Sequence, residues 1–291
     1  MPINDELGKR MKEYYEQVPK TRLVRRMPVA IRLDGRSFHS FTRGFKKPFD
    51  EILIKSMQET MKKLCENIQG CVLGYQQSDE ITLILVDYKK LTSSAFFDYE
   101  VQKMCSIAAS MCTLYFNQIF RTNVNQAFAG KSGSELGEYH KVMCMARDRG
   151  AMFDARCFNI PKEEVCNLIY WRQLDATRNS IQMVGQANFN HKELQNKSCN
   201  QIQDMLMTER GLNWNDLPTY QKRGSCCVKS NITCTFAKEE NGTVITGATE
   251  RPHWYIDNDI PIFKGEDREY IEKLIIFESE SYPKISKIYI N

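Results

Sequence analysis

The segment Val29 to His39, VAIRLDGRSFH, decides the fold when it is read together with Gly74 to Glu80, GYQQSDE. Val29, Ile31 and Leu33 alternate with Ala30, Arg32 and Asp34, the period of a strand with one main apolar face and Asp34 on the other. The strand stops at Asp34-Gly35. Farther on, Cys71 to Gln77 and Ile81 to Val86 flank Gln77-Ser78-Asp79-Glu80, which predicts two strands joined by a tight turn with adjacent acids. Carboxylates on neighbouring strands can share a pair of divalent cations, the arrangement that neutralises a triphosphate in phosphoryl and nucleotidyl transfer. Taken singly, Asp34-Gly35 also fits a plain turn, and Ser78-Asp79-Glu80 a solvated hairpin tip.

The surroundings supply a topology. Residues 3 to 17 predict a helix with Met11, Tyr14 and Tyr15 on its apolar side, and Pro19 ends it. Asp50 is a good N-cap for a helix to about Ile68, with Ile54, Met57, Met61, Leu64, Cys65 and Ile68 in one stripe. A long helix follows from about Thr92 to Arg121, and Phe153 to Asn159 alternates as a strand. This order predicts an α+β fold, the ferredoxin-like arrangement of polymerase palm domains, an antiparallel sheet with helices on one face. In it the end of the first strand and the hairpin lie side by side. The expected division is a palm over 1–160, with a glycine-rich mobile loop at 122–150, a helical part over 161–236, and a C-terminal extension over 237–291. Gly130-Lys131-Ser132 is not a P-loop, because the position five residues before Gly130 is Asn125.

RLDGRSFH and GYQQSDE are similar to the two signature segments of the tRNA-His guanylyltransferase family, including its tRNA-guanylyltransferase-like members. The likeness continues through Phe153-Asp154-Ala155-Arg156, Tyr170-Trp171-Arg172-Gln173 and Leu217 to Gly224, LPTYQKRG, and so covers residues 1 to 230. The resemblance implies growth in the 3′-to-5′ direction: ATP or GTP activates the 5′ end of a tRNA, and the 3′-hydroxyl of an NTP attacks it. It implies Asp34, the Gly35 carbonyl and Asp79 as ligands of two Mg²⁺, with Glu80 a further ligand or a carboxylate behind them, since strand neighbours face opposite ways. Nucleotide contacts are expected from Asp34, Asp79, Lys47, Ser78 and Lys103, and from Gly35, Arg36, Ser37, Phe38 and His39, whose N–H groups would form an anion-binding nest. A lone loop histidine is otherwise more often structural. RNA contacts are expected from Arg156, Asn179, Lys197, Lys222 and Arg223, and the family usually forms tetramers.

Members that recognise tRNA-His by its anticodon carry His-Ile-Asn-Asn where this chain has Thr177-Arg178-Asn179-Ser180. The missing histidine points to the template-dependent branch, which repairs 5′-truncated tRNAs by Watson–Crick pairing.

Composition is compatible with this. The 291 residues are 42% hydrophobic and 26% charged, with no apolar run long enough for a membrane span and no signal-peptide core, so a cytoplasmic protein is expected. Eleven cysteines without a C-x-x-C fit free thiols in a reducing compartment. Net charge is +4, but residues 1 to 47 hold twelve Lys or Arg against five acids, which suits a polyanionic substrate. Two other readings use the same residues: a palm-domain nucleotidyl cyclase, and a non-catalytic protein that binds RNA ends. The insert with Trp171 and the Lys222-Arg223-Gly224 segment count against the first; unused carboxylates beside bound phosphate count against the second.

Overall fold

The structure, a computed structural model, describes residues 5–132, 136–240 and 243–277; residues 1–4, 133–135, 241–242 and the tail from 278 lie outside it. Its elements are α1 (Glu6–Met11), β1 (Val29–Gly35), α2 (Phe38–Phe41), α3 (Glu51–Asn67), β2 (Cys71–Gln77), β3 (Glu80–Leu85), α4 (Val101–Ala127), α5 (Glu138–Arg149), β4 (Phe153–Asn159), α6 (Lys162–Asn188), α7 (His191–Leu194), α8 (Cys199–Arg210), α9 (Thr219–Arg223), β5 (Ser225–Glu240), β6 (Thr243–Asp257) and α10 (Glu269–Ile275).

The strands form one sheet in the order β4-β1-β3-β2-β5-β6, with antiparallel neighbours throughout. Its first four strands, with α3 and α4, are the ferredoxin-like palm. Side-chain alternation in β1 sets the layers. Val29, Ile31 and Leu33 join Met57, Met61 and Leu64 of α3 and Met104, Cys112 and Phe116 of α4 in one core. Ala30 joins Val165, Cys166 and Ile169 of α6 and Ile271 and Ile275 of α10 in the other. The palm helices therefore share one face, and the helical insert covers the opposite one. Asp50 caps α3 through bonds from the N–H groups of Ile52 and Leu53, as its position predicts.

Three expectations change. The stretch 122–150 is mostly helical: α4 runs on through Asn123, whose amide donates to Ser56 and Glu59, and α5 buries Met143 and Ala146. Of the clustered glycines, Gly130 and Gly137 lie in the link between these helices, and Gly133 lies outside the described residues. Helix α4 starts at Val101 rather than Thr92, because Phe97, Asp98 and Tyr99 take left-handed φ values of 49°, 50° and 58°. The boundary at 236/237 falls inside β5, which pairs with β2 and along its length with β6, so the extension completes the palm's own sheet. Trp254, Ile260 and Phe263 are buried. No residue of α1 is buried, and the apolar Met11, Tyr14 and Tyr15 face solvent.

Gly224 joins α9 to β5 with φ +84°, and a Cβ there would sit 2.4 Å from the Gln76 carbonyl oxygen of β2. Gly224→Ala is expected to lower stability by about 2 kcal/mol or more, because strained φ and the backbone clash add. Urea unfolding measures this, and an unchanged midpoint would refute it.

Candidate active site

The Ser78-Asp79 turn between β2 and β3 lies against the end of β1. The Gly35 N–H donates to the Asp79 carbonyl at 3.2 Å, and Asp34 stands directly across from Glu80 in the β1–β3 ladder. Ser78 holds the turn with φ +49°, and its hydroxyl donates to Asp79 Oδ1 at 3.0 Å. Burial pushes the Asp79 carboxyl up to about 6, with Asp34 and Glu80 adding repulsion and hydrogen bonds from backbone and Ser78 offsetting part of it. Asp34 and Asp79 are thus brought together as the alternation in β1 and the hairpin predict. Among the described residues they are a pair, since no three His, Cys, Asp or Glu side chains gather into a cation site.

An aromatic cluster positions the loop after Asp34. Phe38 packs on Phe41, Phe116 and Phe153 with ring centroids 5.0 to 5.8 Å apart. Gly35 permits this, because a Cβ there would meet the Phe38 ring at 2.2 Å. From α5, Arg149 donates to the carbonyls of Ser40 and Phe41, a restraint on this loop that lone-residue reading misses. Asp50 braces the Lys46–Pro48 segment by accepting from the Lys46 N–H at 3.1 Å and the Tyr139 hydroxyl at 2.7 Å.

These elements enclose a cavity of about 540 Å³ whose lining includes Asp34, Gly35, Ser37, Phe38, His39, Lys46, Lys47, Ser78, Asp79 and Met183. Its size suits a nucleotide. Asn179 lines a smaller adjoining cavity with Gln76, Gln77, Ser78 and Met183. Met183 of α6 borders both, a contribution no sequence signal indicated.

Several expected site residues stand elsewhere or are already engaged. Glu80 is buried and bidentate with Arg172, at 2.6 and 2.8 Å, and lies 3.1 Å from Arg32 Nε, so it is a buttress of the hairpin and not a free metal ligand. Arg36 does not line the cavity, and its N–H donates to the Met152 carbonyl at 2.8 Å. With the Gly35 N–H also taken, the expected nest shrinks to Ser37, Phe38 and His39. The Phe38 ring is core. His39 Nε2 lies 3.1 Å from the Ser40 hydroxyl.

Lys103 is absent from the cavity lining. It lies in the first turn of α4, with its ammonium 5.9 Å from the centroid of the Phe97 ring. Arg156 is exposed on β4, 3.2 Å from Asp154. Lys197 is exposed in the link between α7 and α8. The Lys222 ammonium caps the Asn215 carbonyl over the Trp214 ring, and burial lowers its pKa. The Arg223 carbonyl accepts the Tyr75 hydroxyl at 2.7 Å. These four are not gathered at the Asp34–Asp79 pair.

Residues 8–161, which span the palm, match the family described as tRNAHis guanylyltransferase (Thg1). Over 300 residues the chain is 27% identical to an uncharacterized protein of Acanthamoeba polyphaga mimivirus, covering 97% of this chain and 96% of that one. It is 25% identical over 211 residues to the tRNA(His) guanylyltransferase of Saccharomyces cerevisiae, covering 68% and 80%. Among solved structures it is similar to a bacterial tRNA(His) guanylyltransferase (Thg1)-like protein in complex with ATP. There the TM-score is 0.73 and the identity 39%, over 93% of this chain and 99% of that one. The GTP complex of such a bacterial protein has TM-score 0.69 and 38% identity, over 94% and 100%. With its palm, its paired carboxylates and these relatives, the chain belongs to the tRNA(His) guanylyltransferase family and is a nucleotidyltransferase.

Proposed function

We propose that this enzyme adds nucleotides to the 5′ end of tRNA in the 3′-to-5′ direction, filling truncated ends against the opposite strand as template. The observation that carries the reading is the Asp34–Asp79 pair at the mouth of a nucleotide-sized cavity. The ATP and GTP complexes of similar bacterial proteins support ATP and GTP as substrates, one activating the 5′ end and an NTP supplying the attacking 3′-hydroxyl. The replacement of a His-Ile-Asn-Asn run by Thr177-Arg178-Asn179-Ser180 supports template-directed repair over strict tRNA-His selectivity.

The donors at the pair fit Mg²⁺: Asp34, Asp79 and the Gly35 carbonyl are all oxygen ligands, and Mg²⁺ characteristically takes one or two carboxylates and completes its shell with water and phosphate. Bound there, two such ions would neutralise the triphosphate and lower the pKa of the attacking hydroxyl. The chain's own residues do the positioning. Lys47 would meet the triphosphate, Ser37 to His39 would donate backbone N–H groups to it, and Ser78 would place a hydroxyl beside the nucleotide. Asn179 would contact the base or the RNA. A homotetramer is part of this reading, supported by the exposed Leu7, Met11, Tyr14 and Tyr15. A reducing, cytoplasmic setting is supported by ten free cysteines among the described residues. Among these residues no helix is long and apolar enough to cross a membrane.

Incubation with a tRNA lacking its first nucleotide, Mg²⁺ and labelled NTPs tests the proposal. Extension at the 5′ end is expected. A cyclic nucleotide product, or RNA binding without turnover, would overturn it. Lys47→Ala is expected to raise the KM for NTP by about 10- to 100-fold, the loss of one charge-assisted contact, with an unchanged circular dichroism spectrum. An unchanged KM would remove Lys47 from the site.

A further inference from the structure

Of the three tryptophans, Trp214 and Trp254 are 6% and 7% exposed, whereas Trp171 on α6 is 52% exposed. The Trp171 ring is nevertheless held in place. The Arg172 guanidinium carbon lies 4.5 Å from its centroid and that of Arg32 5.8 Å. Both arginines are anchored on Glu80, the residue after Asp79. Arg32 also precedes Asp34 by two residues on the same strand face, so the indole packs on a side chain rooted one strand repeat from that aspartate. The nucleotide-sized cavity opens from Asp34 toward α2 and Lys47. Trp171 meets the same strand from α6, through the Arg32 side chain.

A rigid, half-exposed aromatic ring beside guanidinium groups is what proteins offer to an unpaired base. Its neighbours are charged: Arg156 lies across from Arg32 in the β1–β4 ladder, and Asp175 and Arg178 follow on the same side of α6. Charges are depleted from the cores of protein interfaces, so this setting disfavours a subunit contact. Arg156 and Arg178 each carry an acid partner, Asp154 and Asp175. Phosphate attraction here is therefore weakened, and stacking has to supply most of the affinity.

We propose that Trp171 is the platform on which the terminal base at the RNA 5′ end stacks, while the cavity on the Lys47 side holds the incoming nucleotide. This rests on the RNA-extending reading above. Trp171→Ala is expected to raise the KM for a tRNA lacking its first nucleotide by roughly 5- to 150-fold, with the KM for NTP unchanged. Trp171→Phe should stay within about threefold of the parent, since a phenyl ring also stacks. Because the other tryptophans are buried, the same tRNA should quench the parent's fluorescence and leave that of Trp171→Phe unaltered. The proposal is overturned if Trp171→Ala keeps the parent's KM for RNA, if NTP alone gives the full quench, or if the substitution changes only the sedimentation of the protein. Failure of the parent to extend any RNA would instead sink the broader reading, and the fluorescence titration would still decide whether RNA meets Trp171.

Discussion

Replacing Asp79 by asparagine is expected to reduce nucleotidyl transfer by about 10³-fold or more while making the free protein more stable at pH 8. The two effects share one cause. The Asp79 carboxyl sits at about 6 in the folded chain, against an ordinary 3.8, because burial and the neighbouring Asp34 and Glu80 disfavour its charge. A carboxyl raised in this way carries no penalty below its unfolded pKa, accumulates one between about pH 4 and 6, and carries it in full above 6. At 1.36 kcal/mol per unit the cost approaches 3 kcal/mol, and solvent at this partly buried turn reduces it to about 1–2 kcal/mol. Asparagine removes the charge and recovers that amount at pH 8, but almost nothing at pH 4. Under the proposed chemistry it also removes a cation ligand. Mg²⁺ with a nucleotide should therefore raise the parent's melting temperature more at pH 8 than at pH 5, and should shift Asp79→Asn little at either. Calorimetry at the two pH values measures both. A variant that melts below the parent at pH 8, or that keeps transfer activity, would refute the assignment. Asp34→Ala should match the loss of activity.

Arg172→Met should cost about 3–5 kcal/mol of stability, the largest structural effect foreseen here. It would strip Glu80, buried at 4% exposure, of both bidentate hydrogen bonds and leave it the contact with Arg32 and a long bond from the Thr82 hydroxyl. It would also take from Asp175 the contact that Arg172 makes at 2.9 Å, leaving that acid to Arg178 and Asn179. Because Glu80 follows Asp79 directly, the hairpin should shift and activity should fall with stability. Adding Glu80→Gln removes the orphaned charge, so the double variant should recover at least half of the lost stability. Chemical denaturation of the single and double variants completes the cycle. If the single variant is as stable as the parent, the ion pair is not what holds the turn.

Local patterns stood out along the chain wherever the cause is local. The period of β1 and the Asp50 cap of α3 are each decided by a few adjacent residues, and each is found where its pattern lies. The family segments marked Asp34 and Asp79, and hairpin geometry was enough to bring them side by side. Nothing along the chain identified the partner of Glu80, because Arg172 is ninety-two residues away. Read locally, Glu80 is one more acid beside a catalytic one.

What the sequence by itself determined was the palm and the pair of carboxylates, since strand period, turn chemistry and caps act over a few residues. Only the tertiary structure decided which charges are spent and which are available. Glu80 is neutralised by Arg172 and Arg32, the Arg36 N–H is taken by Met152, Lys222 is turned onto Asn215, and Lys103 lies away from the cavity. The physical reason is that a charge's role depends on its burial and on what stands within a few ångströms of it. Those neighbours come from strands and helices that are far apart in sequence and meet only when the sheet closes.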